Sequence, residues 1–279
     1  MIFQLFTPAA PLRPYIHAYH YLKGGEAPIV QRLVSNGCMG FNFCRNQSIR
    51  FGRYGTMATC LGGPRTDYFD VTTGGGLEMV GVEFQPYGAR MFFDMPMSDL
   101  YNLLLTPADL NDDALAALEE QVMTAESVAE CFRIFDDFFI RRLHDDKRRD
   151  LNLQRIVAAF RTIGQRDKPT SVSDMADAAC LSAKQFNRLF ADFVGMTPKK
   201  YLRLYRFHEA LRHLKAGNLS LTEAAWQSGY YDQAHMTREF KDLSGFAPSF
   251  YDQADRSACA PFSWMVYKAK IEGIGGAPR

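Results

Sequence analysis

The sequence predicts an α+β protein. An amino-terminal antiparallel β-barrel or sandwich with a helical segment precedes an all-α domain of two helix-turn-helix units joined by a central helix. Three observations lead to this reading. Residues 1–105 break into short apolar stretches parted by Gly- and Pro-rich turns. Residues 98–143 change to helical periodicity. Residues 171–251 carry one helical pattern twice.

In the first region the stretches Gly40–Cys44 (GFNFC), Thr56–Leu61 and Glu78–Phe84 (EMVGVEF) read as strands, and GGPR at 62–65 and TTGGG at 72–76 as turns. PYIHAYHYL, which holds His17 and His20, reads as a half-exposed strand or helix. After Asp112 and Asp113, the series Val128, Cys131, Phe132, Phe135, Phe138, Phe139 and Leu143 makes an apolar stripe at helical spacing. That stripe suits packing on its own barrel and also a homodimer interface. HDDKRRD at 144–150 is a charge-rich linker, which divides the chain into domains at 1–145 and 150–253 and a tail at 254–279.

In the second region, residues 190–201 (FADFVGMTPKKY) and 240–251 (FKDLSGFAPSFY) share F-x-D-x-x-G-x-x-P-x-x-Y at an offset of 50. Upstream the offset is 49, with Ser171 matching Ser220, Asp174 matching Glu223 and Ala176 matching Ala225. Ser220-x-x-Glu223 is a capping box, and Ser171-x-x-Asp174 repeats it. Gly229 ends the first helix of the second copy, and Asp232 caps the next, in which Met236, Phe240 and Leu243 recur on one side. The first copy follows suit, with Ser182 as cap and Phe186, Leu189, Phe190 and Phe193 as stripe. Each second helix turns polar residues outward: Lys184, Gln185, Asn187 and Arg188 in one, Gln233, His235, Arg238 and Glu239 in the other. Amide side chains pair bidentately with adenine and arginine with guanine along the major-groove edge, so these faces suit double-stranded DNA. Charge agrees. Residues 1–140 hold 9 Lys+Arg and 16 Asp+Glu, net −7; residues 141–279 hold 23 and 15, net +8. A polyanion partner is expected for the second half only.

Residues 150–253 resemble the DNA-binding domain of the AraC/XylS family of transcription regulators. The resemblance implies seven helices, with recognition helices near 183–193 and 233–243. It places base or phosphate contacts on Lys184, Asn187 and Arg188 in the first, with Gln185 beside them, and on Gln233, His235, Thr237 and Arg238 in the second. Arg206 matches an arginine usual in the family's central helix, where packing and hydrogen bonding are its expected role. Cys180 stands where a glycine is frequent, which implies a strained or altered turn. LGGPRTDYF and GVEFQPYGARMFF resemble the cupin-like sensor domains joined to many such regulators. An organic effector inside that domain is the functional expectation, with Tyr19, Tyr21, Phe41, Phe43, Glu83 and Phe84 as candidate lining residues. The family also implies an activator, a homodimer and contact with RNA polymerase.

Other classes find little support. No P-loop, Rossmann glycine fingerprint or nucleophile elbow occurs, so neither an enzyme nor a cofactor is expected. His17 and His20 alone represent histidine in the first half, which argues against a cupin metal site. Cys38, Cys44, Cys60, Cys131, Cys180 and Cys259 form no C-x-x-C pair and read as reduced thiols. No apolar run approaches the roughly 18 residues of a membrane span, and MIFQLFTPAAPLRPY lacks a signal-peptide pattern, so a cytoplasmic location is expected. The alternative within the same class is a regulator whose first domain only dimerises or binds a protein, without a small-molecule ligand.

Overall fold

The computed structural model describes residues 2–143, 147–164, 169–217 and 219–253. The 254–279 tail and residues 144–146 of the linker lie outside the described residues. Ten strands fill the first half: β1 Ile2–Phe6, β2 Ile16–Lys23, β3 Ile29–Val34, β4 Gly40–Cys44, β5 Ile49–Phe51, β6 Thr56–Met57, β7 Thr59–Gly62, β8 Tyr68–Thr73, β9 Glu78–Phe84 and β10 Leu104–Leu105. They form two antiparallel sheets, of order β1-β2-β9-β4-β7-β10 and β3-β8-β5-β6. Among the described residues the two sheets pack against each other, and no strand pair joins them.

The six-stranded sheet is buried on both faces along its central strands β2, β9, β4 and β7, whereas its edge strand β1 is largely exposed. Side chains alternate along a strand, so successive residues face opposite ways. Tyr19 of β2, Phe41 and Phe43 of β4 and Phe84 of β9 point to one face and belong to the main apolar cluster. Cys44, Cys60 and Met79 point to the other, where they meet Ile49, Phe51, Phe69 and Val71 of the smaller sheet. His20 is 1% exposed, so the half-exposed strand expected around it is corrected: β2 is a central strand between β1 and β9, covered on both sides.

Two helices close the first face: α1 Asp113–Thr124 and α2 Val128–Arg142. The α2 stripe buries Cys131, Phe132, Phe135, Phe138 and Phe139. Phe135 lies 5.4 Å from both Tyr19 and Phe43, ring centre to ring centre. Asp136 ties the helix down, accepting from Tyr19 Oη at 2.7 Å and from the Ala9 amide at 2.9 Å. The stripe is thus used within the chain.

Seven helices follow: α3 Lys147–Arg161, α4 Val172–Ala178, α5 Ala183–Val194, α6 Pro198–Ala216, α7 Leu221–Gln227, α8 Gln233–Ser244 and α9 Pro248–Gln253. Helix α6 has Pro198 at its first position and Thr197 as cap, and its 19 residues span about 28 Å. The two halves share one apolar cluster that runs from Phe41 and Phe135 through Phe190 and Tyr201 to Phe240. Polar contacts cross between them: Arg90 to Asp192 at 3.1 Å, Lys200 Nζ to Tyr101 Oη at 3.1 Å and His208 Nε2 to the Ser35 carbonyl at 2.6 Å.

Phe135 fills the junction of α2 and the sheet, so Phe135→Ala should cost about 3–5 kcal/mol of stability. A lower denaturant midpoint with unchanged slope in equilibrium unfolding is the expected result.

Candidate nucleic-acid interface and effector cavity

Each helix-turn-helix unit is set by local chemistry. Capping boxes open α4 (Ser171 with Asp174), α5 (Ser182 with Gln185) and α7 (Ser220 with Glu223). Asp232 caps α8, accepting from the His235 amide at 2.6 Å. Each satisfied orphan amide favours a helix start at that residue. Between α7 and α8 the turn needs positive φ, and Gly229 supplies it at 80°. Between α4 and α5 the same place is held by Cys180, at φ 53° and exposed. The altered turn expected there is a left-handed residue carrying a side chain, which costs about 1–2 kcal/mol relative to glycine.

On α5, Lys184, Gln185, Asn187 and Arg188 are all exposed, opposite the buried Phe186, Phe190 and Phe193. On α8, Gln233 and Arg238 are exposed, and His235 and Thr237 are half-buried. The amides are partly engaged. Gln185 Oε1 accepts from the Ser182 hydroxyl at 2.7 Å as part of its capping box. Asn187 Nδ2 donates to the Ala183 carbonyl at 2.8 Å, and Gln233 Oε1 accepts from Thr222 Oγ1 at 3.0 Å. His235 stands 3.6 Å from Glu239 and packs its edge on Tyr230. Among the described residues, Lys184, Arg188 and Arg238 make neither a hydrogen bond nor an ion pair. These three cations, together with Lys241 farther along α8, stand exposed to solvent.

Behind α8, Glu239 gathers Arg203 at 3.1 Å, Arg206 at 3.7 Å and His235 at 3.6 Å. Arg206 also lies over the Tyr230 ring, 5.7 Å from its centre. This fastens α6 to α8 and fits the packing role expected of Arg206. Sequence reasoning passed over Trp226 and Tyr231, which are 80% and 90% exposed and flank the start of α8. Both fall outside the apolar stripes, and that was the available signal.

Between the two sheets lies a cavity of about 110 Å³. Its polar lining comprises His20, Ser35, Asn36, Asn42, Arg65 and Glu83, set among Leu33, Phe51, Phe69, Val82 and Leu104. Of the six candidate ligand residues, Glu83 alone lines this cavity. Tyr19, Phe41, Phe43 and Phe84 belong to the opposite face of the sheet, packed toward α2, and Tyr21 is half-buried against that same cluster. The reason is parity: aromatics at 19, 41 and 43 share a face, and His20 and Asn42 have the other. His20 Nε2 and Asn42 Oδ1 are 3.1 Å apart, and Asn36 Nδ2 donates to Glu83 Oε1 at 2.9 Å. Burial lowers the His20 pKa to about 4 against the opposing pull of Asn42, so the ring is neutral. Arg65 lies 4.4 Å from the Phe69 ring centre and pairs with Asp67 at 3.2 Å. Burial lowers its pKa, and Asp67 opposes that. Burial raises the thiol of Cys60 to about 12 and also raises that of Cys44, so neither is a thiolate near neutrality. Among the described residues no cluster of three or more His, Cys, Asp or Glu could hold a metal.

Comparison with known proteins accords with this geometry. Residues 175–254 match a helix-turn-helix domain family, and residues 4–106 match a family described as a domain of unknown function. The probable transcription factor PqrA of Proteus vulgaris is 32% identical over 85 residues, 30% of this chain and 70% of that protein. A Streptomyces lividans protein described as an AraC-like transcription regulator is 34% identical over 98 residues, 34% of this chain and 32% of its own. The chain belongs to the AraC family of transcription regulators. The first curated relatives it matches are spanned over 28–58% of their length. ToxT of Vibrio cholerae is similar in structure at 14% identity and a TM-score of 0.44, over 83% of this chain and 97% of that one. No helix among the described residues is long and apolar enough to cross a membrane.

Two measurements follow from the local geometry. Cys180→Gly relieves the left-handed backbone but frees the unfolded chain, and a net gain of about 0.5–1 kcal/mol is expected in thermal or denaturant unfolding. His20 has a folded-state pKa of about 4 against 6.5 for the ordinary ring. As pH falls below 6.5 the unfolded chain takes up the proton first, so stability is full above 6.5 and lost toward pH 4. The loss attributable to this ring should be about 2–3 kcal/mol between pH 7 and 4.5, and His20→Gln should remove that part of the pH dependence.

Proposed function

We propose that this protein is a sequence-specific DNA-binding regulator that sets α5 and α8 into successive major-groove segments on one face of a duplex, under control of a small organic effector held between its two sheets. The observation that carries the DNA reading is the repeat of an exposed, unengaged arginine, Arg188 and Arg238, on the two helices that follow a tight turn. The helix between the units spans about 28 Å, close to the roughly 34 Å repeat of DNA. Lys184 and Arg188 in the first unit and Arg238 in the second are the principal cationic contacts. Asn187, Gln233, His235 and Thr237 supply amide, imidazole and hydroxyl contacts beside them. Gln185 keeps only its amide NH₂ for DNA, since its oxygen closes the helix cap.

The effector reading is supported by a cavity with buried polar groups of both signs, Arg65 and Glu83, among aromatic walls. Its volume of about 110 Å³ is below that of an engineered cavity of about 150 Å³ that accepts benzene, so the effector it suits is a small one. A homodimer remains part of this reading on the family's behaviour, and it must use surface other than the buried face of α2.

Selection of genomic fragments by the purified protein should yield a shared site of two boxes about one helical turn apart. Arg238→Ala should weaken binding to that site by about 1–3 kcal/mol and relax preference in one box only, with Arg188→Ala acting on the other. Equal binding of selected and random DNA by the unaltered protein overturns the reading. Binding should also fall steeply with salt, and Lys184→Ala should reduce the slope by about one if Lys184 meets a phosphate.

A further inference from the structure

The floor of the cavity is a row of the six-stranded sheet that carries few side chains. Gly40 of β4 pairs with Gly62 of β7 on one side and with Glu83 of β9 on the other. All three residues line the cavity, as does Arg65, which follows shortly after Gly62. Neither glycine is required by the backbone, since neither has a positive φ. A Cβ on Gly40 would stand 3.6 Å from Asn42 and from the Val82 carbonyl, and one on Gly62 would stand 3.6 Å from Leu104, all ordinary contacts. Gly81, in the next row, differs: a Cβ there would stand 2.4 Å from Nε2 of His20. Glycine inside a strand weakens it and marks places where another group approaches the backbone closely. At Gly81 that group is the His20 ring; over Gly40 and Gly62 it is the cavity.

Two charged side chains flank this floor, and both are withdrawn from water: Glu83 is 5% exposed and Arg65 6%. Glu83 accepts from Asn36 Nδ2 at 2.9 Å, and an ionised carboxylate has capacity for further donors. Arg65 Nε stands 3.2 Å from Asp67, and its Nη2 donates to Tyr54 Oη at 3.0 Å. Asp67 is shared with the exposed Arg53. Among the described residues Nη1 of Arg65 donates no hydrogen bond, which leaves a donor of a buried cation for an incoming acceptor.

Buried charges call for partners of opposite sign. An occupant with a single charge answers only one of Arg65 and Glu83, whereas one with both answers the two and leaves the interior neutral. Size narrows the class. On the scale of a benzene-sized cavity of about 150 Å³, a volume of about 110 Å³ holds about four or five heavy atoms. Glycine has that size, and alanine adds one methyl group.

We propose that the cavity takes a small amino acid as its zwitterion, lying over Gly40 and Gly62 with its carboxylate on Nη1 of Arg65 and its ammonium on Glu83. This rests on the cavity being the effector site. The glycines give the ligand room, and the two charges give it direction. A branched side chain exceeds the volume, so valine is excluded.

The test uses the full chain and titration calorimetry with glycine, L-alanine, L-valine, acetate and ethylamine. Glycine or L-alanine should bind about tenfold or more tighter than the other three. Glu83→Gln keeps the shape and removes the charge; it should weaken the amino acid about tenfold and leave acetate no weaker. Gly40→Ala and Gly62→Ala each set a methyl group on the floor without a clash. They should weaken the amino acid likewise with the thermal midpoint kept or raised, and they decide the matter should Glu83→Gln fail to fold. Acetate, ethylamine or valine binding as tightly as glycine and alanine, no binding of either amino acid, or binding unchanged in the folded variants overturns the proposal. Failure of the effector reading shows differently: glycine or alanine binds with the expected pattern, yet affinity for the selected DNA site stays the same.

Discussion

The constraint on which the structure depends is the burial of one sheet on both faces. Its central strands β2, β9, β4 and β7 cannot shift register by one residue without exchanging two different environments. One environment is an aromatic core against α2 and, beyond it, the helical half. The other is a small interior with buried polar groups. Tyr19 and His20 are neighbours in sequence and lie in these two worlds, as do Phe41 and Asn42, and Phe84 and Glu83. The separation keeps the apolar side continuous, and it confines the polar side chains to a place where they can pair with one another.

Continuity of the aromatic side explains why the two halves are joined as they are. The cluster that starts on the sheet and α2 extends through Phe190 and Tyr201 to Phe240, so the second domain's core grows out of the first's. Polar contacts at the edge then fix orientation. Arg90 with Asp192 and His208 with Ser35 are partly or fully removed from water, where a lost partner leaves a costly unsatisfied group. An apolar junction gives the affinity between the halves, and these few bonds give its geometry.

The outward faces of α5 and α8 follow a different logic. Capping boxes at Ser171, Ser182 and Ser220 and the cap at Asp232 need only local sequence, and they place α5 and α8 after tight turns whatever the rest does. Packing of Phe186 and Phe190, or of Met236 and Phe240, then dictates which residues are left outside. The helices therefore present their cations as a by-product of a fully used apolar stripe. Glu239, between Arg203, Arg206 and His235, and Asp242, paired with Arg203, pin the polar side of α8 from behind.

Much of this was legible in the sequence, because it depends on spacing. The two helices of each repeat, the central helix between them, both capping pairs, the strands Gly40–Cys44 and Glu78–Phe84, and the α2 stripe all follow from periods of 3.6 or 2 and from residues with fixed backbone preferences, whereas the full set of seven helices came from the family resemblance. The positive φ of Cys180 was legible too, since its partner in the repeat is a glycine. The cavity was not. The aromatic residues expected to line a ligand site lie in the apolar cluster on the α2 side, and a strand alone does not say which of its faces meets the helices and which meets a second sheet. Nor could spacing reveal that the Ser35 carbonyl meets His208, 173 residues away in sequence. Local periodicity fixes elements and their faces; which face meets which is decided only when distant segments pack.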